Sequence, residues 1–141
     1  MLSFMNMDVV GFCSIETLHL QLNPTCTILI KAPNGKGKST ILSALVWAIY
    51  GKNLKGVSDV NTWKEVRPKD YKGTMVQVFF QKDTHTYKII RCQKYEEVLE
   101  DGAKGKDRLV FIKDGDIIDI KGKGKIQDSI NREIGLSYTL F

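Results

Sequence analysis

The stretch from Ala32 to Ser39 constrains this chain more than any other part of its sequence. It reads Ala-Pro-Asn-Gly-Lys-Gly-Lys-Ser, and Thr40 follows it. A small residue, four variable residues and then Gly-Lys-Ser form the pattern of a phosphate-binding loop, with Ala32 where most such loops have glycine. Gly35 and Gly37 allow a tight turn whose amide N–H groups point at one cluster of phosphate oxygens.

Different residues of this loop are expected to bind different parts of a nucleoside triphosphate. Lys38 is expected to reach the β- and γ-phosphates as a point charge, and the Ser39 hydroxyl is expected to ligate Mg²⁺. The following helix adds its unpaired N-terminal amides and the positive end of its dipole. The sequence therefore predicts a binding set of consecutive residues: Asn34, Gly35, Lys36, Gly37, Lys38, Ser39 and Thr40.

The segments on either side of the loop are those that such a loop requires. Thr25 to Ile30 is a β-rich apolar run opened by Asn23-Pro24, which predicts a strand. Ile41 to Tyr50 is apolar nearly all the way round, which predicts a buried helix ended by Gly51. A chance match by a Gly/Lys-rich surface turn is therefore the weaker interpretation.

The other patterns predict antiparallel strands around this unit. Leu2 to Gly11 is strand-like, and Ile15 to Leu22 alternates apolar and polar residues, with His19 on its exposed face. Thr74 to Gln81 alternates in the same way, with Val76, Val78 and Phe80 facing one side. We expect His85 to Cys92 to be its hairpin partner and Glu96 to Lys106 to be a mobile polar tip. A second hairpin is expected from Leu109 to Lys113 with Ile117 to Ile120. A flexible basic loop (121–125) and a helix ended by Gly135 are expected to follow.

Composition places the chain among ordinary globular proteins. Its 141 residues, with 43% hydrophobic and 26% charged side chains, are expected to form one domain, residues 1–141. Cys13, Cys26 and Cys92 are odd in number and show no metal-ligand spacing, so we expect reduced thiols in a cytoplasmic compartment. No signal peptide is recognised, and the longest apolar stretch is far short of a membrane span.

The net charge of +5 is unevenly distributed along the chain. Residues 52–94 hold ten Lys or Arg against four Asp or Glu, so the whole excess lies in this middle segment. Such a surplus predicts non-specific contact with a polyanion such as DNA, and a solvated surface is the equal alternative. The basic residues concerned are Lys52, Lys55, Lys64, Arg67, Lys69, Lys72, Lys82, Lys88, Arg91 and Lys94.

Pro33 to Thr40 has the form of the loop seen in ABC-class ATPases, including the SMC-like group. The order of the predicted elements also resembles that group's N-terminal lobe. Ile134 to Phe141 resembles the run before the Q-loop in SbcC-type repair ATPases and in ATPase subunits of phage recombination nucleases. The resemblance implies an α/β P-loop NTPase fold, namely an ABC/SMC-like N-terminal lobe with an antiparallel β-sheet layer.

The resemblance also implies the chemistry and the partners. ATP with Mg²⁺ would be the cofactor, and ATP binding would be coupled to the processing of DNA ends. Non-specific double-stranded DNA, a nuclease subunit of the SbcD type, a C-terminal ATPase lobe and a second copy in a homodimer would be the partners. The compartment would be cytoplasmic, and it would be the host cytoplasm for a phage-encoded chain.

The family's hydrolytic machinery is not found in these residues. Ile117-Ile118-Asp119 comes nearest to the Asp-Glu motif, but Ile120 occupies the glutamate position. The signature loop, the Q-loop glutamine and the late histidine are also missing. We therefore expect ATP hydrolysis only when a C-terminal half completes an otherwise incomplete ATPase head and the head dimerises.

One departure from the family pattern and three alternatives stay open at this point. Cys13 occupies the position of an arginine that helps to hold the nucleotide in many SbcC-type proteins. The family also keeps residues before the strand at Thr74 close to the nucleotide, and Arg67 or Lys69 is the candidate here. The alternatives are a nucleotide-binding domain of another ABC-class ATPase such as a transporter, a GTPase, and a DNA-binding or assembly module without ATPase activity. The strand from Ile15 to Leu22 lacks the adenine-stacking aromatic of transporters, and no Asn-Lys-x-Asp motif supports a GTPase.

Overall fold

A computed structural model describes residues 2–13, 15–21, 35–52, 59–62, 67–100, 102–118 and 122–135. The predicted strand from Thr25 to Ile30 and the first part of the loop, including Asn34, lie outside these ranges. The described elements, in chain order, are β1 (Leu2–Phe12), β2 (Ile15–Gln21), α1 (Gly35–Tyr50), β3 (Thr74–Lys82), β4 (His85–Gln93), β5 (Tyr95–Val98), β6 (Lys104–Lys106), β7 (Leu109–Lys113), β8 (Asp116–Ile117) and α2 (Lys123–Ile134).

Six of these strands form one antiparallel sheet in the order β2-β1-β3-β4-β7-β8. Alternation along each strand sends every second side chain to the face that carries the core. The predicted inward set of β3, namely Val76, Val78 and Phe80, is fully buried. β2 pairs with β1 in an antiparallel register that places Val9 opposite Leu18, as the alternation of the sequence predicts.

Helix α1 lies against the core face of this sheet. Every side chain from Ala44 to Ile49 is buried, so contacts surround the second half of the helix. The rings of Trp47 and Phe12 lie 5.8 Å apart between centroids and join α1 to the end of β1. The helix ends at Gly51, whose φ of 81° is the left-handed conformation expected of a C-terminal glycine.

Helix α2 closes the same core at the β4–β7 side. Ile130 and Ile134 are buried, and Gly135 ends the helix with a φ of 76°, as predicted. Lys82 Nζ donates to the backbone oxygen of Glu133 at 2.7 Å, so a cation caps the carbonyl end of the helix. These contacts fix α2 across the ends of β3 and β4.

The segment from Glu96 to Lys106 differs from its prediction as a mobile tip. It contains most of the β5–β6 hairpin, which is held by contacts with the segment before β3 and with β4. Glu96 N donates to Lys72 O at 2.7 Å, and Lys88 Nζ pairs with Glu100 Oε1 at 2.8 Å. These contacts join residues distant in sequence, and the local polar composition therefore gave no sign of them.

Two other boundaries also differ from the predictions. The described part of β8 covers only Asp116–Ile117. Helix α2 begins at Lys123, inside the segment expected to be a flexible basic loop. His19 is exposed, as expected, but its Nδ1 contacts the carboxylate of Asp8 on the neighbouring strand.

Candidate functional site

Helix α1 begins at Gly35, within the predicted phosphate-binding loop. The sequence predicted helix only from Ile41, so Gly35, Lys36, Gly37, Lys38, Ser39 and Thr40 form the first turns of α1. The first amides of a helix have no intrahelical partner, and they collect at the positive end of its dipole. No acidic residue occurs in the first turn to occupy that end. The backbone therefore presents an anion-binding end where the motif predicts phosphate.

The same tetrapeptide, Gly-Lys-Gly-Lys, also stands at the start of α2. Its cap is Gly122, with a φ of 101° and no side-chain hydrogen bond, and Lys123 and Lys125 are exposed in the first turn. The residues that follow the two tetrapeptides differ. Ile126, which packs on the core, stands after the second one, whereas Ser39 stands after the first. The second run therefore lacks the hydroxyl that a magnesium-dependent phosphate site requires.

The bend between β1 and β2 is held by a polar cluster around the carbonyl of Gly11. This Gly11 cluster consists of Gly11, Asn61, Thr62, Tyr71 and Thr74. Thr74 Oγ1 and Tyr71 Oη donate to Gly11 O at 2.7 and 2.9 Å. Asn61 Nδ2 donates to Thr74 Oγ1 at 2.8 Å. No local pattern in the sequence indicates this cluster, and its only local signal is the pair Gly11 and Gly73, where two backbones approach closely.

Cys13 cannot supply the positive charge that the SbcC-type resemblance leads us to expect at this bend. Burial, and then the nearby carboxylate of Asp59, raise the pKa of the Cys13 thiol, so the group is neutral at pH 7. A neutral thiol is a weak hydrogen-bond partner and carries no attraction for phosphate. The nucleotide contact expected from an arginine at this position is therefore missing from Cys13 itself.

Arg67, one of the two residues before β3 that are expected near the nucleotide, lies beside the same bend. Its Nε donates to Thr62 O at 2.5 Å, and its guanidinium lies 4.8 Å from the centre of the Tyr71 ring. Tyr71 in turn contacts Gly11 O, so the cluster joins Arg67 to the bend. Next to it is an open groove of about 770 Å³, whose lining includes Val10, Cys13, Thr62, Pro68, Asp70 and Lys72. Lys69 is exposed on the turn nearby.

Several basic residues of the middle segment are engaged within the fold and are wrongly assigned to polyanion binding. Arg91 is buried, with 8% of its surface exposed, because its guanidinium caps the C-terminal end of α1. Lys82 caps α2, and Lys88 pairs with Glu100. The exposed members of the set in the described residues are Lys52, Lys69, Lys72 and Lys94. Lys55 and Lys64 lie outside the described ranges.

Within the described ranges, no three side chains of His, Cys, Asp or Glu come close enough together to hold a metal ion. In the same part of the chain, no helix is long and apolar enough to cross a membrane.

Comparisons with known proteins agree with this architecture. A family model described as an AAA domain matches residues 7–139. The chain is similar to exonuclease subunit 2 of Escherichia phage RB69, with 29% identity over 140 residues. That match takes in 98% of this chain and 22% of the phage protein, so the chain spans a small part of its relative's length.

Solved structures of the recombination mediator protein RecF of the RecFOR pathway share the fold. The RecF-ATP structure matches with a TM-score of 0.57 at 20% identity, over 89% of this chain and 30% of the RecF chain. The RecF-ATPrS structure matches with a TM-score of 0.54 at 19% identity, over 89% of this chain and 29% of that one. The predicted α/β, P-loop NTPase-like fold with an antiparallel sheet is thereby confirmed. The comparisons together confirm the predicted likeness to an SMC-like N-terminal ATPase lobe. Because the family model takes in nearly the whole chain, the chain belongs to the family of AAA domains.

Proposed function

We propose that this chain is the ATP-binding lobe of an SMC-like ATPase subunit in a DNA repair or recombination exonuclease complex. The start of α1 at Gly35, inside the Gly-Lys-Gly-Lys-Ser-Thr run, is the observation that carries the proposal. A helix that starts there has unpaired amides at its beginning, and they would support the phosphate contacts expected of Lys38 and Ser39. The similarity to a phage exonuclease subunit and the shared fold with ATP-bound RecF support the same assignment.

The residues of the motif suit Mg²⁺–ATP as the ligand. Lys38 would hold the β- and γ-phosphates, and residues 34–40, with the unpaired amides of the first helical turn, would surround them. Ser39 would ligate Mg²⁺, which when bound neutralises phosphate charge. Arg67, held at Thr62 O beside the bend, would supply the cation that Cys13 does not.

The proposed partners follow from the family. They are non-specific double-stranded DNA, an SbcD-type nuclease subunit, a C-terminal ATPase lobe and a second copy of the head in a homodimer. Residues 1–141 would act as one lobe that binds ATP and couples binding to DNA end processing. Hydrolysis also needs groups that orient the attacking water and stabilise the transferring phosphoryl group. Phosphate release by this chain alone should therefore stay close to the uncatalysed background.

Thermal unfolding in the presence of Mg²⁺–ATP tests the binding proposal. A ligand at a hundred times its Kd adds about 2.7 kcal/mol to the free energy of unfolding, so Tm should rise by several degrees. Lys38→Ala should abolish this rise because it removes the contact with the β- and γ-phosphates. An equal rise in the Lys38→Ala variant would contradict the assignment to this loop. No rise in either protein would favour the alternative of a DNA-binding or assembly module.

Binding to duplex DNA is proposed for the exposed lysines of the middle segment. Because phosphate contacts release counterions, the affinity should fall steeply with salt, by a slope of about 0.9 per contact in a double-logarithmic plot. Charge reversal of Lys69, Lys72 and Lys94 together should flatten that slope. Charge reversal of Lys82, which caps α2, should lower stability instead. An unchanged slope in the triple variant would show that these lysines form only a solvated surface.

A further inference from the structure

The C-terminal end of α1 is held by side chains from two other elements. Arg91 on β4 donates from Nε to Ala48 O at 3.0 Å and from Nη2 to Ile49 O at 3.3 Å. The same Nη2 donates to Gln127 Oε1 on α2. Gln127 completes a ring of contacts, because its Nε2 donates to Ile49 O at 2.7 Å. We call Arg91, Gln127 and the carbonyls of Ala48 and Ile49 the α1 clamp.

The positive charge of Arg91 in this clamp lies against helix carbonyls. Burial lowers the pKa of Arg91 to about 10, which leaves the guanidinium charged at neutral pH. Among the described residues its hydrogen-bond acceptors are the two helix carbonyls and the Gln127 amide oxygen, and no carboxylate pairs with it. The negative end of the α1 dipole therefore provides the compensating charge, so the position of α1 and the burial of Arg91 depend on each other.

The backbone next to the clamp leaves space for the Arg91 guanidinium. The chain leaves α1 at Gly51 with a φ of 81°, and an added Cβ there would lie 3.0 Å from Arg91 Nη1. Gly51 N donates to Trp47 O at 2.7 Å, which turns the chain away from the carbonyls that Arg91 contacts. The clamp thus has a defined geometry and little room for displacement.

We propose that Arg91 and Gln127 are positioning residues that set the direction of α1, and through it the direction of the phosphate-binding amides at its other end. This inference rests on the proposed function for its link to ATP. The helix has 16 residues and is therefore about 24 Å long, so a tilt of about 5° at the clamp moves its far end by about 2 Å. Within 41–50, the part of α1 whose burial is described, the buried residues are Ala44 to Ile49, so the clamp lies at a packed end of the helix.

The test compares Gln127→Leu with Lys82→Met. Both variants remove a side chain that contacts the C-terminal carbonyls of a helix, but Lys82 holds α2 and not α1. The Kd for Mg²⁺–ATP should rise about five- to tenfold in Gln127→Leu, because displacements near 1 Å are costly at phosphate sites. In Lys82→Met it should stay within about twofold of the unchanged protein at a comparable loss of stability.

A second readout does not need nucleotide. Without ATP, hydrogen exchange of the amides of 39–43 should become faster in Gln127→Leu and should be unchanged in Lys82→Met. Gln127→Asn, one methylene shorter, provides the same comparison if the leucine variant does not fold. Equal affinity and equal exchange in both variants would overturn the inference. Failure of the unchanged protein to bind ATP would contradict the proposed function, while the exchange result would still decide on the clamp.

Discussion

Tyr87 shows how one side chain can join the sheet to α2. Its ring is 2% exposed and stacks between Phe80 and Phe111, with centroid distances of 5.0 and 5.7 Å. Its hydroxyl donates to Glu133 Oε2 at 2.7 Å, and Lys113 Nζ contacts the other carboxylate oxygen at 3.2 Å. Burial, together with Glu133, raises the pKa of Tyr87 to about 12. The phenol thus stays protonated in the folded protein when free tyrosine would ionise.

Tyr87→Phe should lower the free energy of unfolding by about 1 kcal/mol at pH 7, because the stacking remains and one hydrogen bond is lost. Since the folded pKa lies above the unfolded value of about 10, the contribution is complete below pH 10 and is lost as the pH rises towards 12. Urea titrations of both proteins from pH 7 to 12 measure the difference. A difference of zero at pH 7, or one that stays constant to pH 12, would contradict this role.

At the scale of elements, the close approach of two glycine backbones fixes the β1–β2 bend against β3. Gly11 has a φ of 61° and Gly73 a φ of 97°. A Cβ on Gly11 would lie 2.1 Å from Gly73 O, and a Cβ on Gly73 would lie 2.0 Å from Lys94 O. Neither position has room for a side chain, so the Gly11 cluster depends on both glycines.

Gly73→Ala should therefore lower the free energy of unfolding by more than about 3 kcal/mol, because backbone atoms must move as well as the φ angle. Gly102→Ala is the matched control. Gly102 has a φ of 82° with no atom within 4 Å of an added Cβ, so strain alone should cost about 1 kcal/mol. Chemical denaturation measures both values. Similar losses of unfolding free energy in the two variants would show that the close contacts at Gly73 do not cause the loss.

Elements with a strong local pattern were predictable from the sequence, and nonlocal contacts were not. The period-two alternation of β3 and the spacing of Ile126, Ile130 and Ile134 in α2 gave the correct buried faces. Arg91 looked like one more surface cation, because its burial depends on carbonyls 42 and 43 positions away in sequence. The β5–β6 hairpin was missed for the same reason, since its attachments to Lys72 and Lys88 are tertiary contacts.

At the scale of the whole molecule, α1 connects the candidate site to the rest of the lobe. Its first turns carry the residues proposed to bind phosphate, its second half packs against the sheet, and its last turn is held by β4 and α2. The sequence was sufficient to locate the motif and the fold class because both have local signatures. Arg91 and Gln127, which are proposed to orient the motif, and the Gly11 cluster at the β1–β2 bend depend on contacts between distant segments, which local patterns do not show.

Isothermal titration with Mg²⁺–ATP on the unchanged chain, Lys38→Ala and Lys125→Ala tests the central claim most directly. The two lysines end identical Gly-Lys-Gly-Lys runs at the starts of α1 and α2, so they are a matched pair. We expect one ATP per chain in the unchanged protein and in Lys125→Ala, and no detectable binding in Lys38→Ala. ATP binding that survives Lys38→Ala, or that is lost in Lys125→Ala, would contradict a nucleotide site at the start of α1.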